Sequence, residues 1–138
     1  MNIKNFKYGE VGLNRFFGPL EANIMEYLWD KDEQSIKSVQ QSLELDKPIN
    51  FNTVMTVMNR LVEKGILEKR SEGRLSLFRP VQSKAEFLEE QSKKLTENLL
   101  DEFGGAVISH MLDAMKDADQ GLIEKLEQKI QSLKKDKL

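Results

Sequence analysis

Along most of the chain, apolar residues recur every third or fourth position, the period of a helix packed on one side. Leu20, Ile24 and Leu28, with Met25, Tyr27 and Trp29 beside them, give the first such face. It follows Gly18-Pro19, and proline suits a first helical position because its missing N–H has no intrahelical partner there. Asp30-Lys31-Asp32-Glu33 ends that helix. Ser35 is a fair N-cap for a second, with Ile36, Val39 and Leu43 at helical spacing, and Asp46-Lys47-Pro48 stops it. The third is the most legible: Asn50 or Asn52 caps it, and Phe51, Val54, Val57, Met58, Leu61 and Val62 form one stripe up to Gly65.

Turning by about 100° per residue, Asn52, Thr56, Asn59 and Glu63 fall on the opposite side of that helix, with Thr53 and Arg60 on one shoulder and Met55 on the other. A helix chosen only for solubility would carry Glu and Lys there, because Asn and Thr are mediocre helix formers. After Gly65 the period changes. Leu67-Glu68-Lys69-Arg70 and Arg74-Leu75-Ser76-Leu77-Phe78-Arg79, joined across Ser71-Glu72-Gly73, read as two short basic strands with a glycine turn. Ser83-Lys84-Ala85-Glu86 is a capping box opening a long helix whose stripe Phe87, Gln91, Leu95, Leu99, Phe103 runs at i+4 spacing to Gly104-Gly105. Val107, Ile108, Met111, Leu112 and Met115 mark a further helix. Leu122, Ile123, Leu126, Ile130 and Leu133 mark the last, behind Asp119 as its cap.

This pattern predicts a mainly α fold with a small β-hairpin. Residues 1–17 form an N-terminal arm with Phe6, Tyr8, Phe16 and Phe17 but no clear period; 18–82 form a winged helix-turn-helix head; 83–138 form a helical dimerisation region. The length of 138 residues suits one small core with an appendage. No apolar run is long enough to span a bilayer and the first residues carry no secretory signal, so a cytoplasmic protein is expected.

Composition removes most chemistry. Cysteine is absent and histidine occurs once, as His110, with no nucleophile signature around it, so no catalytic residue is assigned and no enzyme is expected. His110, Asp113 and Asp117 share one helix face, but without a fourth ligand or supporting shell they read as solvated, so no metal and no cofactor is assigned. The net charge of −2 hides a split. Residues 47–79 hold seven basic side chains against three acidic ones, whereas 84–138 hold nine lysines against twelve acids. Local positive charge is what phosphate neutralisation needs.

A polar-faced third helix followed by a basic hairpin is the order of a winged helix that lays the third helix in the major groove and the hairpin along phosphates. Asn52, Thr53, Thr56 and Asn59 are then the base-contact candidates, since Asn can pair with adenine and Thr offers a hydroxyl and a methyl. Ser35, Arg60, Lys64, Arg74 and Ser76 are candidates for the DNA backbone. The tail's apolar stripes exceed what the head can cover, so a homodimer is expected through Phe87, Leu95, Leu99, Phe103, Leu112, Leu126 and Ile130, with an inverted-repeat site in double-stranded DNA. The competing reading is a winged-helix adaptor that docks proteins and never touches DNA.

Gly18-Pro19-Leu20-Glu21-Ala22, Trp29, the block from Asn52 to Gly65, Phe78-Arg79-Pro80 and Phe103-Gly104-Gly105 together resemble the penicillinase-repressor family of winged-helix transcriptional repressors, the BlaI, MecI and CopY type. The resemblance implies a dimeric repressor of dyad-symmetric operators, with Thr53, Thr56, Asn59 and Arg60 in the reading helix and Arg74 in the wing as matching contacts. Two departures stand out. Without cysteine, copper sensing of the CopY kind is not expected. The Asn-Phe bond cut in lactam-responsive members would fall at Asp113-Ala114, which does not match, so the inducer, sensor protease or otherwise, is unassigned.

Overall fold

The computed structural model describes residues 12–137; Phe6 and Tyr8 of the expected arm lie outside them. The chain divides into two compact units, one ending at Gln91 and the other starting at Ser92.

In the first unit a single 3-10 turn, Gly12–Arg15, leads into α1 (Pro19–Lys31), β1 (Gln34–Ser35), α2 (Ile36–Leu43), α3 (Phe51–Glu63), β2 (Leu67–Glu72) and β3 (Leu75–Pro80), and α4 (Lys84–Phe103) begins there. Local chemistry sets these ends. Pro19 opens α1, and the Glu21 carboxylate accepts from the Gly18 N–H at 3.0 Å. Ser35 Oγ accepts from Ser38 N–H at 3.2 Å to cap α2, and Asn50, rather than Asn52, caps α3 through the Asn52 N–H at 2.7 Å.

The sheet is antiparallel with order β1-β3-β2, so the wing hairpin carries a third strand that periodicity did not predict. Leu67 pairs with Pro80 and Glu72 with Leu75, while Gln34 faces Phe78. Between β2 and β3 only Gly73 takes a left-handed φ, 63°, the φ pattern of a II′ hairpin turn. The core joins Ile24, Met25 and Leu28 of α1, Val39 of α2, Val54, Met58 and Leu61 of α3 and Phe78 of β3, all fully buried. Leu13 and Phe17, from the stretch read as an arm, lie in the same core. So does Phe87, which corrects its assignment to a dimer seam: its ring stacks on Phe17 at 5.4 Å, meets Phe16 edge-on at 6.0 Å and lies 5.4 Å from Trp29. The Trp29 indole donates to the Gln82 carbonyl at 3.0 Å, fixing the segment from which α4 departs.

Among the described residues one non-glycine backbone position is strained. Asp32, closing α1, has φ 68° and ψ −124°, a region that favours glycine. Asp32→Gly is expected to stabilise the unit by about 1 kcal/mol, a rise in melting temperature of about 5 °C in a thermal scan. An unchanged or lower midpoint would contradict the strain.

The second unit holds the end of α4, α5 (Gly105–Ala114), a 3-10 turn at Met115–Asp117 and α6 (Gln120–Asp136), capped by Asp119 Oδ1 on the Leu122 N–H at 3.0 Å. The expected helix through Met115 therefore stops one residue earlier. None of the described residues from Ser92 onward is buried. Phe103 is 53% exposed, Leu112 52%, Leu122 52% and Ile130 41%. No helix among the described residues is long and apolar enough to cross a membrane.

Candidate nucleic-acid interface

α3 separates its two faces as its spacing demands: Val54, Met58 and Leu61 are fully buried, while Asn52, Thr53, Thr56 and Arg60 are exposed and Met55 and Asn59 half-buried. The polar side is thus not covered by the unit itself. Its side chains are partly pre-set. Thr56 donates its hydroxyl proton to the Asn52 carbonyl one turn back at 2.8 Å, which leaves its methyl and a lone pair outward. Asn59 Oδ1 accepts from Lys69 Nζ of β2 at 3.3 Å. The Asn52 side chain has no partner among the described residues.

The backbone candidates are placed less uniformly. Arg74 is exposed in the II′ turn at the wing tip. Ser76 is half-buried opposite Ser71 in the ladder, and Ser35 is half-buried with its hydroxyl engaged in the α2 cap. Lys64 binds Glu21 of α1 at 2.8 Å, yet its side chain is 43% exposed and its ammonium keeps donors to spare. Burial alone would raise the Glu21 carboxyl. The Lys64 hydrogen bond, the Gly18 N–H and the charges of Lys64 and Arg60 outweigh that and hold it below its ordinary 4.5. The stabilisation from this lowered carboxyl is present at neutral pH and is lost as acid titrates the folded group.

Two of the seven basic side chains of residues 47–79, Lys64 and Arg70, are paired with carboxylates from outside that stretch. Arg70 forks onto Glu33 with bonds of 2.8 and 2.6 Å and reaches Glu72 at 3.1 Å; the fork holds the Glu33 carboxyl low and pushes the guanidinium up. Arg79 pairs with Glu68 across the ladder. Glu33, Glu68, Lys69, Arg70 and Arg79 together line a charged groove. Among the described residues Lys47, Arg60 and Arg74 make no ion pair. Sequence reasoning therefore found the polar face but missed Glu21, Glu33 and Lys69, whose partners lie in other elements with no local pattern to announce them.

The chain is similar to several known proteins. The penicillinase repressor family model matches residues 17–132. The transcriptional regulator BlaI of Mycobacterium tuberculosis, in two strains, is 31% identical over 72 residues. The match covers 51% of this chain and 52% of the relative, so the chain spans about half the length of the curated relatives it matches. Among solved structures, the DNA-binding domain of the repressor BlaI aligns over 49% of this chain and 83% of its own, with 24% identity and a TM-score of 0.46. A MarR family protein from Bacillus stearothermophilus aligns over 89% and 76%, with 11% identity and a TM-score of 0.46. Since the family match begins at Phe17 in the aromatic cluster and runs through head and tail into α6, the chain belongs to the penicillinase repressor family.

Proposed function

We propose that the protein is a sequence-specific transcriptional repressor that binds an inverted-repeat operator as a homodimer, with α3 in the major groove and the wing along the phosphate backbone. The observation that carries this reading is the exposed row Asn52, Thr53 and Thr56 on a helix whose opposite side carries the fully buried Val54, Met58 and Leu61. A groove admits one helix, and base edges are met by amides, hydroxyls and methyls rather than by solubilising carboxylates. Arg60 and Arg74, free of ion pairs among the described residues, supply the phosphate contacts, and Lys64 adds to them while still tied to Glu21. The tail supports the second half of the reading. Leu112 and Ile130 stand exposed in α5 and α6, Phe103 is exposed in α4 beside half-buried Leu95 and Leu99, and Leu126 is half-buried; a second copy related by a twofold axis covers such surface. Two heads on one dimer set their reading helices one DNA turn apart, roughly 34 Å, or a multiple of it. A repressor acting on genomic DNA is a cytoplasmic protein, and the signal that lifts repression stays unassigned.

Charge reversal tests the reading. Arg60→Glu with Arg74→Glu is expected to weaken both specific and nonspecific duplex binding and to lower the salt slope of log affinity by about one for each phosphate that the variant no longer neutralises. Unchanged duplex binding in the double variant would overturn the assignment. An adaptor that never touches DNA would show a near-zero slope already in the parent protein.

A further inference from the structure

Asn59 is held in one orientation by another element, and its chemistry is thereby restricted. A side-chain amide carries an acceptor oxygen with two lone pairs and a two-proton donor nitrogen. Lys69 Nζ lies 3.3 Å from Asn59 Oδ1 and 5.4 Å from the centroid of the buried Phe78 ring, so its ammonium bridges the wing and the reading helix. An ammonium has no acceptor, so only Oδ1 can face it, and the amide nitrogen is turned the other way.

We propose that Asn59 reads chiefly through its donor nitrogen and selects guanine or thymine against cytosine at one operator position, with Lys69 as the positioning residue that sets this polarity. The inference rests on the DNA-binding reading above. In the major groove guanine presents O6 and N7 and thymine O4, all acceptors, whereas cytosine presents only a donor. The two-pronged asparagine–adenine pair needs the amide oxygen as acceptor for the adenine amino group; Lys69 takes one of its two lone pairs, and the ammonium charge beside the other repels an incoming base amino group. Thr56, one turn earlier on the same face, has already spent its proton on the Asn52 carbonyl, so it adds a methyl and a lone pair and no second donor. The adenine pair falls to Asn52, whose side chain is exposed and has no partner among the described residues.

The test uses the full chain and a half-site obtained by selection from random duplexes, with all four base pairs then placed at each position in turn. The parent protein is expected to prefer guanine or thymine over cytosine by about tenfold at one position, and Asn59→Ala to abolish the preference there alone. Lys69→Met keeps an apolar stem near Phe78 but cannot donate; it is expected to let the amide rotate and to raise adenine about fivefold relative to guanine at that position only. Lys69→Arg restores a donor and is expected to restore the parent order. Two results would overturn the proposal: Lys69→Met weakening all four bases in the same ratio, or Asn59→Ala leaving the order unchanged everywhere. Failure of the DNA-binding reading looks different, because the parent protein would then select no sequence and bind no duplex in a salt-dependent way, which sinks both.

Discussion

On the proposed repressor reading, Leu99→Asp is expected to turn a dimer into a monomer and to weaken binding to a two-half-site operator by about 10²-fold or more, while affinity for an isolated half-site changes little. The second unit has no buried residue of its own among those described, yet it displays Phe103, Leu112, Leu122 and Ile130 largely to solvent. Burying such side chains yields about 25 cal/mol per Å² of apolar surface, and placing a carboxylate in the seam opposes that with a desolvation cost. Affinity for the full operator falls steeply because the second head otherwise binds at high effective concentration, a gain of about 10² to 10⁴ that a monomer forfeits. Sedimentation gives the mass and titration with full and half operators gives the affinities. Leu126→Lys, on a different helix, serves as the second variant, and helix content by circular dichroism separates lost association from lost folding. Parent-like mass in both folded variants would refute the tail as the dimer interface.

How far the sequence can be read follows from the range of each signal. α3 is legible because everything that defines it is local: a cap, an apolar row, a polar row and a glycine end. β1 is not, because two polar residues, Gln34 and Ser35, carry no alternation and become a strand only by pairing with Phe78 and Leu77. The stripe from Phe87 to Phe103 reads as one surface, but four residues turn a helix by about 400°, so an i+4 row drifts by about 40° per step. Over that length it moves nearly to the other side. Phe87 and Gln91 are accordingly buried within the first unit, whereas Leu95 and Leu99 are half-buried and Phe103 is exposed. Charge misleads in a related way. The basic stretch of residues 47–79 omits Glu21 and Glu33, which lie far away in sequence yet occupy Lys64 and Arg70. The positions of the polar face can be read from spacing; which of its donors and cations remain free cannot, because that depends on pairs formed between elements.

Phe87→Ala is expected to cost the first unit about 3–5 kcal/mol, the usual loss when a buried aromatic ring is cut back to a methyl. The ring is 2% exposed and sits among Phe16, Phe17 and Trp29, so its removal takes away a stacked partner and an edge-on neighbour as well as buried area. Domains of this size hold about 5–15 kcal/mol in total, so much of the margin goes with one side chain. Trp29 is the only tryptophan and touches Phe87, so its fluorescence follows unfolding of this cluster directly. In urea the midpoint should fall by about 2 M, and Phe87→Leu should recover much of the loss by refilling the volume. Protein concentration discriminates between a ring in the unit's own core and one in a seam between copies. Removing a core ring lowers stability by the same amount at every concentration, whereas a seam ring acts through association, so on dilution the parent dissociates, its stability falls to that of the variant and the difference disappears. A loss below about 1 kcal/mol, or a difference from the parent that vanishes on dilution, would return Phe87 to the interface and leave the aromatic cluster without its centre.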